Sequence, residues 1–279
     1  MNSSKIDFQD LLAKAVFAAM DAGAAALEVY SRDFEVEEKS DHTPLTLADK
    51  RSHEIIASRL SPLDIPVLSE EGRDIAYEER KGWQHLWIVD PLDGTKEFVK
   101  KNGEFTINIA LVENGRPVLG VVFVPVKDDL YFAAKKMGSF FARGEKILAL
   151  GKNASAGRLI EAAQPMPLSN LPNRAFTIMG SRSHASPELS AFVEEKKQKY
   201  PDLNFISAGS SLKFCLVAAG LADIYPRTGP TMEWDTAAGQ AVVEMAGGAV
   251  VEFESGKPLE YNKQNLLNPW FIVHGEKKR

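Results

Sequence analysis

Leu86-Trp87-Ile88-Val89-Asp90-Pro91-Leu92-Asp93-Gly94-Thr95 is the stretch on which the reading of this chain turns. Its opening apolar run is too short for a helix and is bounded by turn residues, which predicts a buried strand over residues 86–89. A carboxylate at the end of such a strand points into the crevice where α/β proteins bind ligands, so Asp90 is a candidate site residue. Asp93 follows three residues later through a turn constrained by Pro91. Two carboxylates and the intervening Leu92 carbonyl can therefore converge on one cation. Gly94 and Thr95 then supply a close backbone approach, an N–H and a hydroxyl at a helix start, where phosphate oxygens sit well. Taken alone, Asp-Gly after an apolar run is also an ordinary turn signal.

Upstream, residues 65–68 form a second short apolar run, ending in Ser69-Glu70-Glu71-Gly72 and delivering Glu70 to the same kind of position. Alone, that pair of glutamates would read as a solvated helix start. Before it lie two helical patterns. Ile6, Leu11, Leu12, Ala15, Val16, Ala19, Met20 and Leu27 recur at helical spacing, with Ser3 and Ser4 as candidate caps. Lys14, Asp21 and Glu28 interrupt that segment too often for a membrane span or a signal h-region. Residues 48–60 form the second helix, stopped by Ser61-Pro62, with Asp49 in its first turn, where a surface acid is the simplest reading. Downstream, residues 105–112 alternate, Glu113-Asn114-Gly115 makes a hairpin turn, and residues 118–124, 130–133 and 140–142 continue an antiparallel meander. Phe105, Ile107, Ile109, Val121 and Phe123 are its expected core. Residues 1–150 thus read as an α+β half carrying most of the acids.

From about residue 175 strands and helices alternate. Strands are expected at 176–179, 204–207, 223–225, 249–253 and 270–274, and helices at 187–199, 212–221 and 236–246. This makes residues 151–279 an α/β half. Pro165, Pro167 and Pro172 give residues 151–173 the composition of a connecting segment. Asp235, in Glu233-Trp234-Asp235-Thr236, stands where an N-cap would stand. No internal repeat or low-complexity tract is evident.

The chain's 279 residues can bury roughly three quarters of their unfolded surface without staples. Lys and Arg number 33 against 38 Asp and Glu, for a net charge of −5, and this argues against a protein that grips nucleic acid. The single cysteine, Cys215, allows no intramolecular disulfide and fits a reducing cytoplasm. The closing Lys277-Lys278-Arg279 could favour an anionic membrane surface weakly, as a peripheral contact on the cytoplasmic side of the inner membrane, but is too short to anchor alone.

Taken together in this order, the segments around Glu70, Asp90 to Thr95 and Trp234-Asp235-Thr236-Ala237-Ala238-Gly239 resemble the lithium-sensitive, Mg²⁺-dependent phosphomonoesterases that include inositol monophosphatase and fructose-1,6-bisphosphatase. The resemblance spans residues from about 5 to 275. Pro44 to Asp49, the run after Gly94, Gly180-Ser181-Arg182-Ser183-His184 and Gly209-Ser210-Ser211-Leu212-Lys213-Phe214-Cys215 are most similar to bisphosphate nucleotidases of the CysQ type. It implies a sugar-phosphatase fold, a layered α-β-α-β-α sandwich, and two or three Mg²⁺ ions as cofactor.

Carried onto this sequence, the resemblance implies one ion held by Glu70, Asp90 and the Leu92 carbonyl. A second would be held by Asp90, Asp93 and Asp235, and a looser third placed by Asp49 and Glu70. Glu70 or Asp49, with Thr95, would orient a metal-activated water for in-line attack, and Gly94 and Thr95 would bind the scissile phosphate. Independently, four or five acids in one cleft repel one another and call for cations. His184, Ser210, Lys213 and Arg227 match positions that contact adenosine or its 5'-phosphate in similar nucleotidases. The implied reaction removes the 3'-phosphate of adenosine 3',5'-bisphosphate, with 3'-phosphoadenylyl sulfate as a second substrate, in sulfate assimilation. A bisphosphate leaves a second dianion to neutralise, which gives Lys213 and Arg227 a physical task. Ser210 as a helix cap, and Lys213 and Arg227 as solvated residues, stay open as simpler readings. An inositol or sugar monophosphatase is the same-class alternative, and a non-catalytic nucleotide sensor the different-class one. No stable protein partner is implied.

Overall fold

The computed structural model describes residues 7–32, 35–38, 44–169, 171, 173–181 and 186–276. It opens with helix α1 (Phe8–Tyr30), capped by the Asp7 carboxylate accepting the Gln9 N–H at 2.9 Å. The cap expected at Ser3 or Ser4 falls outside the described residues. Strands β1 (Val36–Glu38) and β2 (Pro44–Thr46) pair antiparallel and lead into α2 (Leu47–Leu60). The larger sheet begins with β3 (Val67–Ser69), followed by the short helix α3 (Tyr77–Arg80), then β4 (His85–Asp93) and the short helix α4 (Thr95–Val99). It continues through β5 (Thr106–Glu113), β6 (Arg116–Val124), β7 (Asp129–Ala134) and β8 (Gly138–Arg143). Two small helices, α5 (Gly144–Leu148) and α6 (Ala156–Glu161), precede its last strand, β9 (Gln164–Pro165). Segment 151–173, expected as a connector, therefore contributes an edge strand to that sheet.

The smaller sheet is built from β10 (Thr177–Ser181), helix α7 (Pro187–Lys199), β11 (Asn204–Ala208), helix α8 (Leu212–Ala218) and β12 (Ile224–Arg227). Helix α9 (Glu233–Met245) and the antiparallel pair β13 (Ala249–Glu252) and β14 (Phe271–His274) complete it, in the order β11-β10-β12-β14-β13. The larger sheet runs in chain order from β3 to β9, with only β3 and β4 parallel.

Period-2 alternation sorts the strands' side chains into layers. Trp87, Val89, Ile107, Ile109 and Val121 face α1 and α2. Leu86, Ile88, Ala110, Val112 and Val122 face the other way, onto α8, α9 and the inner face of the smaller sheet at Met179, Tyr225, Val250 and Phe271. Ile178 and Ile224 on the outer face are covered by Phe192 of α7. Helices, sheet, helices, sheet and helix thus stack as an α-β-α-β-α sandwich. The middle layer is thin because its residues are small. A Cβ at Gly120 of β6 would lie 2.4 Å from the Ala238 carbonyl oxygen, and one at Gly239 of α9 would lie 2.5 Å from the Phe214 ring.

Two expectations around the site are corrected. The strand expected to end at Val89 runs on to Asp93, with its register shifted between the pairs Asp90 to Asn108 and Asp93 to Thr106. Pro91 has no N–H for the ladder, and Pro91 and Leu92 together oppose Ile107, so the irregularity is a bulge rather than a turn past the strand end. The bulge has a functional consequence. Residues three apart on a regular strand face opposite ways, and the extra residue returns Asp90 and Asp93 to one face. The second correction concerns Asp235, which is not a cap. Helix α9 starts at Glu233 with Met232 as its cap residue, and the Asp235 carboxylate in the first turn accepts the Met232 N–H at 2.8 Å.

No helix among the described residues is long and apolar enough to cross a membrane. The basic cluster from Lys277 to Arg279 lies outside the described residues.

Candidate active site

Strand ends β3 and β4, the N-terminus of α4, the turn before α8 and the first turn of α9 surround a cleft of about 290 Å³. Its walls include Glu70, Asp90, Leu92, Asp93, Gly94 and Thr95 from the larger sheet's side, and Ser210, Lys213, Arg227 and Asp235 from the other. Glu70, Asp90 and Asp235 each place one carboxylate oxygen within 4.8 Å of the others. The Glu70 N–H is tied to the Val89 carbonyl at 3.2 Å, fixing that acid beside β4.

Asp90 is buried, and burial together with Glu70, Asp93 and Asp235 pushes its carboxyl well above the usual carboxylate range, against the pull of the Leu92 N–H at 3.0 Å. The Asp235 carboxyl is raised for the same reasons, burial first and Asp93 next. These are acids held together against their mutual repulsion. Every donor they offer is a hard oxygen, and among the described residues neither a thiolate nor an imidazole lines the cleft, so the set fits a hard divalent cation.

Asp93 faces the cleft differently. Its Oδ2 accepts the Ser211 N–H at 2.6 Å, the Ser211 hydroxyl at 2.8 Å, and the Thr106 hydroxyl and Asn108 amide at 3.3 Å each. Gly94 has φ +90°, and a Cβ there would lie 2.0 Å from Ser210 Oγ, so the Ser210 side chain occupies space that only glycine leaves open.

Asp49 is buried rather than a surface acid, and it lies behind the cleft wall. The Thr46 N–H and hydroxyl both donate to Asp49 Oδ2, at 2.8 and 2.6 Å, while the Thr95 hydroxyl donates to Oδ1 at 3.2 Å. One carboxylate therefore closes the capping box of α2 and orients a cleft hydroxyl.

Ser210 is not a helix cap. With φ +49° it turns the chain so that its hydroxyl donates to the Asp93 carbonyl at 2.9 Å. Lys213 is not solvated. It is 5% exposed, and its ammonium donates to the carbonyls of Ser210 at 2.7 Å and Ala208 at 3.2 Å. Burial pulls its pKa down to about 8, partly offset by Asp93. Arg227 donates to the Pro230 carbonyl at 3.0 Å, and among the described residues its buried Nε has no hydrogen-bond partner. His184 lies outside the described residues.

Several residues that shape the site were not singled out from the sequence. Thr106 and Asn108 were legible as polar residues two apart in an otherwise apolar strand, and Thr46 as the partner of Asp49 in a T-x-x-D capping pattern. Glu233, fully buried, accepts the N–H groups of Asn262 and Lys263 at 2.6 and 3.0 Å and the Lys263 ammonium at 2.7 Å. Asn268 donates to the Met232 carbonyl at 2.8 Å. This wrap steadies the turn that presents Asp235, and no local pattern announced it.

Fold and cleft together define an enzyme-type site whose clustered acids could hold a metal ion. The chain belongs to the inositol monophosphatase family, whose model matches residues 7–275. It is 44% identical over 260 residues to the 3'(2'),5'-bisphosphate nucleotidase CysQ of Shigella flexneri, covering 91% of this chain and 96% of that protein. Among solved structures it is similar to CysQ from Bacteroides thetaiotaomicron, a bacterial member of the same family, with a TM-score of 0.89, 47% identity and coverage of 98% and 100%. The inositol monophosphatase TM1415 of Thermotoga maritima matches with a TM-score of 0.70 and 25% identity, covering 95% of this chain and 92% of that one.

Proposed function

We propose that this chain is a Mg²⁺-dependent 3'(2'),5'-bisphosphate nucleotidase that hydrolyses adenosine 3',5'-bisphosphate to AMP and phosphate. The observation that carries the reading is the shared cleft, lined at once by the acids Glu70, Asp90, Asp93 and Asp235 and by the cations Lys213 and Arg227. The acids suit a metal-bound phosphate and the two cations suit a second one. The nucleotidases to which the chain is similar supply the substrate.

Two or three Mg²⁺ ions would be held by Glu70, Asp90 and the Leu92 carbonyl, and by Asp90, Asp93 and Asp235, with Asp49 and Glu70 near a third. Bound there, Mg²⁺ supplies Lewis acidity and charge neutralisation at phosphorus. The chain's own groups do the rest. Because the Thr95 hydroxyl gives its hydrogen to Asp49, its oxygen is left to accept a proton from a water poised in the cleft, and Asp49 in turn accepts from Thr95. Glu70, on the same cleft wall, helps to orient that water. The backbone at Gly94, stripped of any Cβ, lets a phosphate oxygen approach its N–H. A bond forms between the water oxygen and phosphorus as the bond to the 3'-oxygen breaks, and that oxygen takes a proton from solvent.

The halves 1–150 and 151–279 are read as the parts between which the cleft lies, the first supplying most acids and the second Asp235 and the nucleotide contacts. The buried single thiol and a nucleotide substrate favour the cytoplasm as the working compartment. Phosphate release from adenosine 3',5'-bisphosphate, inositol 1-phosphate and fructose 1,6-bisphosphate, each with Mg²⁺, with EDTA and with lithium, tests the proposal. Preference for the nucleotide, lost in EDTA and reduced by lithium, is expected. Preference for inositol phosphate would remove the roles given to Lys213 and Arg227.

A further inference from the structure

Ser211 sits at the N-cap of α8, yet its side chain makes no capping hydrogen bond. Serine at this position ordinarily turns its oxygen onto the N–H groups of the following turn. Here the hydroxyl, 1% exposed, points instead toward three groups from separate parts of the chain. It accepts the Asn108 amide at 2.9 Å and lies 2.8 Å from Asp93 Oδ2 and 2.7 Å from the Asp235 carbonyl oxygen. The Ser211 N–H donates to the same Asp93 oxygen at 2.6 Å. Asn108 in turn lies opposite Asp90 in the β4 to β5 register. One residue thus touches the side chain of one acid, the backbone of a second, and the strand neighbour of a third.

All four hydrogen bonds received by the Asp93 carboxylate fall on Oδ2, and among the described residues none falls on Oδ1. A carboxylate fixed on one oxygen presents the other at a set angle. The hydroxyl carries a single hydrogen, shared between Asp93 and the Asp235 carbonyl, so it ties the larger sheet's acid to the first turn of α9.

We infer that Ser211, steadied by Asn108, is a positioning residue that fixes the spacing of Asp93 and Asp235 and thereby the affinity of the cleft for divalent metal. The inference rests on the metal-dependent phosphatase reading above. Groups that orient metal ligands from behind typically change affinity by about ten- to a hundredfold when removed.

The test titrates the full chain with Mg²⁺ alone by calorimetry, alongside steady-state kinetics over a range of Mg²⁺. Ser211→Ala is expected to weaken Mg²⁺ binding about tenfold and to shift the Mg²⁺ activation curve equally, with KM at saturating Mg²⁺ within about twofold. Asn108→Ala, which keeps the hydroxyl but removes both its support at 2.9 Å and the amide's longer bond to Asp93 at 3.3 Å, should move affinity in the same direction by about threefold, and it decides the matter if Ser211→Ala does not fold. Thr177→Val, which deletes a buried hydroxyl bonded to the Ala175 carbonyl far from the cleft, controls for stability. Ser211→Ala or Asn108→Ala binding Mg²⁺ like the unaltered chain, or Thr177→Val weakening it as much, would overturn the inference. If the unaltered chain neither bound Mg²⁺ nor released phosphate, the phosphatase reading itself would fall. An unaltered chain that binds and turns over beside an indifferent Ser211→Ala removes only the positioning role.

Discussion

Lys213→Met separates a cation that recognises substrate from one that merely closes a loop. The charged form of Lys213 is disfavoured in the folded chain, where its pKa is about 8 against the ordinary 10.5, a difference of roughly 3 kcal/mol near neutral pH. Methionine removes that penalty and leaves the Ser210 and Ala208 carbonyls without their donor, a loss of about 1 kcal/mol each. The ligand-free variant should therefore be more stable by about 1 kcal/mol, raising Tm by roughly 2 °C. The sign for pH follows from the depressed value. Between about pH 8 and 10.5 the unfolded chain binds more protons, so stability held down below pH 8 recovers as pH rises through that window. Binding should run the other way. If the ammonium meets the 5'-phosphate, the variant loses about 2 kcal/mol, or about thirtyfold in kcat/KM, on adenosine 3',5'-bisphosphate and almost nothing on 3'-AMP. In the unaltered enzyme, KM for the bisphosphate should climb above about pH 8 while that for 3'-AMP stays level. Steady-state kinetics with both nucleotides across pH provide the assay. A flat KM for the bisphosphate, with equal losses on both nucleotides in the variant, would refute the assignment and leave Lys213 as a loop clamp.

Asp49→Asn removes the carboxylate that takes the Thr95 hydrogen and should lower kcat by about a hundredfold or more even at saturating Mg²⁺, where any loss of the looser third ion is overcome, as initial rates over a Mg²⁺ series would show. Because the same side chain closes a capping box, Tm should also fall, by the equivalent of about 1 kcal/mol. Asp90 and Asp235 hold protons to higher pH in the folded chain than in the unfolded one, so metal-free protein should lose stability as pH rises above the ordinary carboxylate range. Melts in EDTA and in Mg²⁺ between about pH 5 and 8 should diverge accordingly, with the metal's stabilisation growing toward high pH. Gly94→Ala forces a Cβ into Ser210 Oγ at a positive φ; a loss of at least about 2 kcal/mol in thermal unfolding and of most activity is expected.

Much of this architecture was legible because both faces of the larger sheet are buried and its strands announce themselves as apolar runs. The acids at the ends of β3 and β4 were legible from local order alone. What escaped was non-local. Whether Asp90-Pro91-Leu92-Asp93 leaves the sheet or bulges within it depends on Asn108 and Thr106 across the ladder, and no window around Asp90 contains them. Asp235 looked like a cap because its neighbours permit one. Residues 262 to 268, packed over the start of α9, move that helix's beginning back to Glu233. The burial of Lys213 likewise depends on the carbonyls of its own loop turning inward, a conformation set by Ser210 at positive φ.

The thin middle layer has a bearing on which substitutions the enzyme can absorb. Where Gly120 meets the Ala238 carbonyl, sheet and helix touch main chain to main chain, so the gap between β6 and α9 is gauged by atoms that no rotamer can adjust. Asp235 rides on α9, and its reach toward Asp90 inherits that fixed gauge. A single methyl added at position 120 would act as a shim, lifting the helix and with it one wall of the reaction cleft. The effect would pass through the body of the protein, from a site that touches neither metal nor substrate.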